Sequence, residues 1–247
     1  MPRHPGNRIA MTALLTGVGV LVAACGQSVS GTATPAADGP ACPAKVLLAV
    51  DVSLSMEATD VAPSRWTVAR RAATDFAQRL PAGTALGLVT FAGTASVQVM
   101  PTTDRAAFTG AFDRVRLAER TATGEGIFTG LSAIYPPGEL TSVPGARQII
   151  LLSDGKQTVP AGLDEPRGAF TAARAAKDVN IAISTISLGT AGGVVEVPAM
   201  SGGADKVPVP TDPDSLREIA RLSGGEFHTA SSLAELDAAL ADLTCHT

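Results

Sequence analysis

The stretch LLAVDVSLSM, residues 47–56, decides how this chain folds. An apolar run, Val46 to Val50, stops at Asp51, and two hydroxyls, Ser53 and Ser55, follow at alternate positions. A continuous apolar run without polar alternation is a strand buried on both faces, as in a parallel sheet covered by helices. Its end in one carboxylate and two alcohols sets oxygen donors at the carboxyl end of a strand, where open α/β sheets bind their ligands.

Outward from this strand, apolar runs alternate with amphipathic ones. SRWTVARRAATDFAQRL, residues 64–80, places Ala69, Ala72, Ala73, Phe76, Ala77 and Leu80 at helical spacing and closes at Pro81 and Gly83. TALGLVTFA and ASVQVM read as strands joined by the hairpin-length break Ala92-Gly93-Thr94. A helix from about Asp104 turns Phe108, Phe112 and Val115 inward, and another runs through GEGIFTGLSAIY. RQIILLSDG, residues 147–155, repeats the opening pattern of a strand ending in hydroxyl, carboxylate and glycine. A helix near residues 166–178 and the strand NIAISTISLG follow. Asp212-Pro213 opens a helix carrying Leu216, Ile219 and Ala220 that halts at Gly224-Gly225, and EFHTA is a strand. Ser232 with Glu235 is a capping-box pattern for a final helix with Leu236, Ala239, Leu240 and Leu243 inward. This alternation predicts a doubly wound, Rossmann-like α/β fold, a mostly parallel six-stranded sheet with helices on both faces. Residues 189–212 interrupt it with a Gly- and Pro-rich excursion whose pieces VVEV and KVPV read as a small hairpin or a loop.

If the first strand and the IILLSDG strand are neighbours, Asp51, Ser53, Ser55 and Asp154 share one crevice, and ERTATGEG brings Thr121 and Thr123 to the same rim. Carboxylates and alcohols without His or Cys are hard oxygen donors, suited to Mg²⁺, Mn²⁺ or Ca²⁺ rather than zinc. Past the strand end the chain must turn, so positions i, i+2 and i+4 can wrap one ion. Singly, each of these residues is an ordinary turn former or helix cap. Asp60 and Glu125 read as caps or surface acids, His228 as a packed or exposed strand residue, and Trp66 and Tyr135 as core or rim.

Asp-x-Ser-x-Ser, a distant Thr, and an Asp after an apolar strand together resemble the metal-ion-dependent adhesion site of the von Willebrand factor type A domain. The resemblance spans about Lys45 to Leu243, through DVSLSMEATDVAPSR, TATGEGIFTGL, LLSDGKQ and VPVPTDPDSLREIARLSGGEFHTASSLAEL. It implies Ser53 and Ser55 as direct ligands of a divalent cation, Mg²⁺ or else Mn²⁺ or Ca²⁺. Asp51 and Asp154 would act mainly through bound water, with Thr121 as the ligand from the third loop. Three positions depart from the pattern: Leu54 stands where Gly is usual, Arg120 where Gly is frequent and Thr123 where an apolar residue is expected. With neutral hydroxyls as direct ligands, an ion keeps an open position that an Asp or Glu of a protein partner can fill. The expected function is therefore a binding module, as in adhesion, rather than an enzyme. The alternative is a Mg²⁺-dependent phosphohydrolase or another extracytoplasmic hydrolase. A haloacid dehalogenase-type phosphatase needs a second Asp where Ser53 stands, and a serine hydrolase needs the absent G-x-S-x-G.

Residues 1–24 read as a signal peptide: Arg3 and Arg8 precede an apolar core too short and Gly-rich for a membrane span. Val22-Ala23-Ala24-Cys25 resembles the bacterial lipobox, whose cysteine is acylated, and two acyl chains, palmitate among the candidates, would anchor the chain on the extracytoplasmic side of a cell membrane. Residues 25–41 are a lipidated cysteine and a flexible tether, with ends roughly 20–25 Å apart; residues 42–247 form the domain. With Cys25 assigned to lipid, Cys42 and Cys245 bracket the domain and invite a disulfide in an exported chain, two free thiols being the alternative. Net charge is -4 with no basic stripe, so nucleic acid is excluded as a partner. The chain contains no Walker A sequence, and Gly124-x-Gly126-xxx-Gly130 lacks a preceding strand, so no nucleotide is expected.

Overall fold

A computed structural model describes residues 43–135, 147–198 and 202–243. Eight strands and six helices succeed one another as β1 (Lys45–Asp51), α1 (Arg65–Arg79), β2 (Ala85–Phe91), β3 (Ala95–Thr102), α2 (Arg105–Ala111), α3 (Thr123–Ile134), β4 (Arg147–Ser153), α4 (Ala169–Asp178), β5 (Ala182–Leu188), β6 (Val194–Pro198), β7 (Ala204–Pro208), α5 (Pro213–Ser223), β8 (Phe227–Ala230) and α6 (Leu233–Asp242). Six strands form the main sheet in the order β3-β2-β1-β4-β5-β8. All its pairings are parallel except β2 with the edge strand β3. Cys25, Cys42 and Cys245, and with them the anchor, the tether and the disulfide expectation, lie outside the described residues.

The two-residue period of a strand distributes β1 between two cores. Val46, Leu48 and Val50 point to one side, against Ala69, Ala72 and Phe76 of α1, Phe108 of α2 and Leu240 of α6. Leu47 and Ala49 point to the other, against Ile127 of α3, Ala172 and Ala173 of α4 and Leu216 of α5. Burial on both faces is why the run contains no polar residue. Helix starts follow their side chains: Ser64, Asp104, Asp212 and Ser232 each accept a first-turn backbone N–H.

Two elements differ from expectation. α2 ends at Ala111 and tightens into a 3-10 turn, Phe112–Arg114, so Val115 packs in a small separate cluster with Val52 and Ala92. α4 begins at Ala169 after the N-cap Gly168, three residues later than expected, because the backbone of Gly168 lies against the Leu163 carbonyl, where an added Cβ would meet the oxygen at 2.2 Å. In the excursion, β6 and β7 pair antiparallel, Val195 opposite Val207. Strand order reverses between β1 and β4, and this switch point fixes where a ligand site forms.

Candidate metal centre

At the end of β1 the Asp51 side chain is fully buried. Its Oδ1 accepts the backbone N–H of Ser53 at 2.8 Å, folding the chain back on itself, and its Oδ2 accepts the Ser153 hydroxyl at 2.6 Å. Ser153 Oγ in turn accepts the Gly155 N–H at 2.9 Å, so the ends of the neighbouring strands β1 and β4 are bonded through one carboxylate. The tight turn brings Ser53 Oγ within 2.8 Å of Ser55 Oγ, both at the start of a 3-10 turn, Leu54–Glu57. Backbone bonds Leu54 N–H to Ala118 and Ala118 N–H to Val52 stitch this turn to the loop before α3.

Thr121 sits on that loop, almost fully buried. Its N–H donates to Thr158 Oγ1 at 2.8 Å, and its carbonyl accepts the N–H groups of Thr158 and Val159. Gln157 reinforces the join, accepting the Gly124 N–H and donating to the Pro160 carbonyl. The loops after β1, before α3 and after β4 are thus held as one surface. A cavity of about 310 Å³ opens there, with Ser53, Ser55, Thr121 and Asp154 in its lining and Asp51 beneath them. Thr123 is fully buried outside the lining, and its hydroxyl has no hydrogen-bond partner among the described residues. Arg120 adopts φ 69°, a left-handed backbone, which accounts for the expectation of glycine there. Leu54 stands partly exposed at the mouth.

One residue of this site is invisible to sequence reasoning. Arg65, in the first turn of α1, is fully buried. Its Nη1 donates to Asp154 Oδ2 at 3.0 Å, while Nε and Nη2 clasp both oxygens of Asp60 at 2.9 and 2.8 Å. Asp60 is therefore part of a buried ion cluster, not a surface acid. Glu125 pairs with Arg167 at the surface. The only signal in sequence is the pair Asp60 and Arg65 on either side of a helix cap, a pattern common on exposed surfaces.

The carboxylates feel their burial. Burial raises the Asp51 carboxyl to about 7, assisted by the charge of Asp154 and opposed by hydrogen bonds from Ser153 and Ser53. Asp154 is raised by burial against hydrogen bonds from Ser55, Arg65 and the Lys156 N–H. For Asp60 burial pushes upward, but hydrogen bonds from Arg65 and Thr190 outweigh it and the net shift is downward. Among the described residues Arg65 offsets Asp154 and Asp60, and no cationic side chain is bonded to Asp51. Three His, Cys, Asp or Glu side chains do not gather as ligands among them. Two buried carboxylates beside two hydroxyls in contact fit a hard divalent cation.

Residues 46–157 match the family model described as von Willebrand factor type A domain. The crystal structure of the conserved hypothetical protein BatB from Bacteroides thetaiotaomicron aligns with TM-score 0.65 at 24% identity, over 81% of this chain and 98% of that one. The fold is that of a von Willebrand factor type A domain. A second structure with this type A fold, proximal thread matrix protein 1 from the mussel byssus with a zinc-occupied MIDAS motif, aligns with TM-score 0.58 at 21% identity, over 82% of this chain and 45% of that one. In sequence, this chain is 56% identical over 202 residues to a "UPF0353 protein" of Nocardia farcinica. That match covers 79% of this chain, and the chain spans 60% of the relative's length.

Proposed function

We propose that this type A domain is a divalent-cation-dependent binding module that holds an Asp or Glu side chain of a protein or peptide ligand, and that it is displayed outside the cell membrane by lipid on Cys25. The observation that carries the reading is Asp51, a fully buried carboxylate that feels the charge of a second one, Asp154, and has no cationic side chain bonded to it among the described residues. A buried charge without a partner is costly, and a bound cation removes that cost. Ser53, Ser55 and Thr121 would supply neutral oxygens, and Asp51 and Asp154 would orient bound water. Mg²⁺ or a similar ion supplies an open coordination position for a ligand carboxylate. The domain's own groups keep that position available by leaving the direct ligands uncharged. Binding rather than turnover is supported by the donor set of the lining, hydroxyls and carboxylates of the kind that hold a hard cation, with no His or Cys among them.

Calorimetric titration of the purified protein with Mg²⁺ or Mn²⁺ tests this. One site is expected, weakened at least about tenfold in Asp51→Ala, together with partner capture that chelator abolishes. Titrations that register no heat, or an unchanged affinity in the variant, defeat the reading. The anchor is supported by the lipobox-like Val22–Cys25. Cys25→Ala should move the protein from the membrane fraction to the soluble one.

A further inference from the structure

Above the metal centre the cavity of about 310 Å³ has room for about ten water molecules, far more than one carboxylate group fills. Part of its wall comes from outside the three site loops: Pro208, Val209 and Pro210, where β7 leaves the excursion. β6 packs against the 3-10 turn that carries Leu54, and Leu54 and the Pro-Val-Pro strip are the apolar residues of the cavity lining. Arg120 and Lys156, both exposed and with no ion pair among the described residues, line the same mouth, together with the exposed Glu119.

The base of this arm is fixed. Arg65 Nη2 donates to the Val209 carbonyl at 3.0 Å and to the Thr190 carbonyl at 3.4 Å. Thr190 donates its N–H and hydroxyl to Asp60 at 2.7 and 2.9 Å. Gly193 lies so close to the guanidinium that a Cβ would meet Nη2 at 2.0 Å. The same guanidinium holds Asp154, so arm and metal centre are registered to each other by one buried side chain.

The strip also limits how it can be used. Pro208 and Pro210 have no N–H, and the Val209 N–H is spent on the Gly193 carbonyl at 2.8 Å, so a ligand cannot add as a strand there. It must be read through side-chain contact.

We propose that the β6–β7 arm forms the second half of the ligand surface, and that the ligand is an extended acidic peptide with an aliphatic or proline side chain beside the residue that meets the cation. The apolar neighbour rests on Leu54 and Val209, and Arg120 and Lys156 favour further acids nearby. This inference rests on the cation-dependent reading above.

The test is selection of displayed heptapeptide libraries, with a fixed central Asp or Glu, on the Mg²⁺-loaded protein, eluting with chelator. Enriched peptides should carry Val, Leu, Ile or Pro within two positions of the acid. Leu54→Ser and Val209→Ser should each weaken the best such peptide by about tenfold, the worth of one buried apolar side chain. Val179→Ser, exposed at the opposite rim after α4, should leave it unchanged. Chelator-sensitive peptides with no apolar preference, or both site variants binding as the parent does, overturn the arm's role while leaving cation-dependent binding intact. No chelator-sensitive enrichment at all overturns both.

Discussion

Asp51, Asp154 and Asp60 lie within one hydrogen-bonded neighbourhood and respond to protons in opposite senses. Asp51 in the folded state is raised to about 7 from 3.8, so between those values the metal-free fold binds a proton that the unfolded chain releases. Without metal, stability should therefore rise as pH falls from about 7 towards 4, with Asp154 contributing in the same direction. Asp60 is lowered, so its contribution is present above its unfolded value and is lost as pH falls through its folded one. Urea midpoints in chelator should accordingly be higher near pH 5 than near pH 8. With saturating Mg²⁺ the order should reverse, since the ion needs Asp51 ionised, and Asp51→Asn should flatten the chelator profile. That Ser53, Ser55, Thr121 and Asp154 share one cavity was legible because hydroxyls and carboxylates at strand ends stand out in the string. Arg65 was not, since it sits in a helix whose Arg70, Arg71 and Arg79 are surface residues and nothing in its spacing separates it from them.

At the level of elements, the join between β4 and α5 shapes one wall of the site. Gly155 has φ 100°, and a Cβ there would lie 2.4 Å from the Asp212 carbonyl oxygen, while the Asp212 N–H donates to the Asp154 carbonyl at 2.8 Å. Gly155→Ala should destabilise the domain by about 1–3 kcal/mol and weaken Mg²⁺ binding, because it pushes the start of α5 away from Asp154. Gly83→Ala, facing open space, should stay within about 0.5 kcal/mol of the parent in the same thermal melts. Element types followed from periodicity and caps such as Ser64 and Asp212, which act locally. The stops of α2 and the start of α4 did not, because they depend on contacts from elsewhere in the fold, as with Gly168 against Leu163.

For the whole molecule, the alternation of buried strands and one-sided helices carries the sheet order as far as a switch point, and the pairing of β1 with both β2 and β4 completes it. The arm stands apart from this framework. It contributes no strand to the main sheet, and its two ends leave side by side, Val209 bonded to Gly193. Replacing residues 194–208 by a short glycine link should therefore keep the six-stranded sheet, as circular dichroism and melting would show, and leave Asp51, Ser53, Ser55, Thr121 and Asp154 in place, while weakening the preference for an apolar neighbour beside the acid. On the proposed reading, the arm adds selectivity to a cation site that is built from other parts of the chain. Rewriting this one ribbon would then change which acidic ligand is preferred, with Asp51, Ser53, Ser55, Thr121 and Asp154 left as they are.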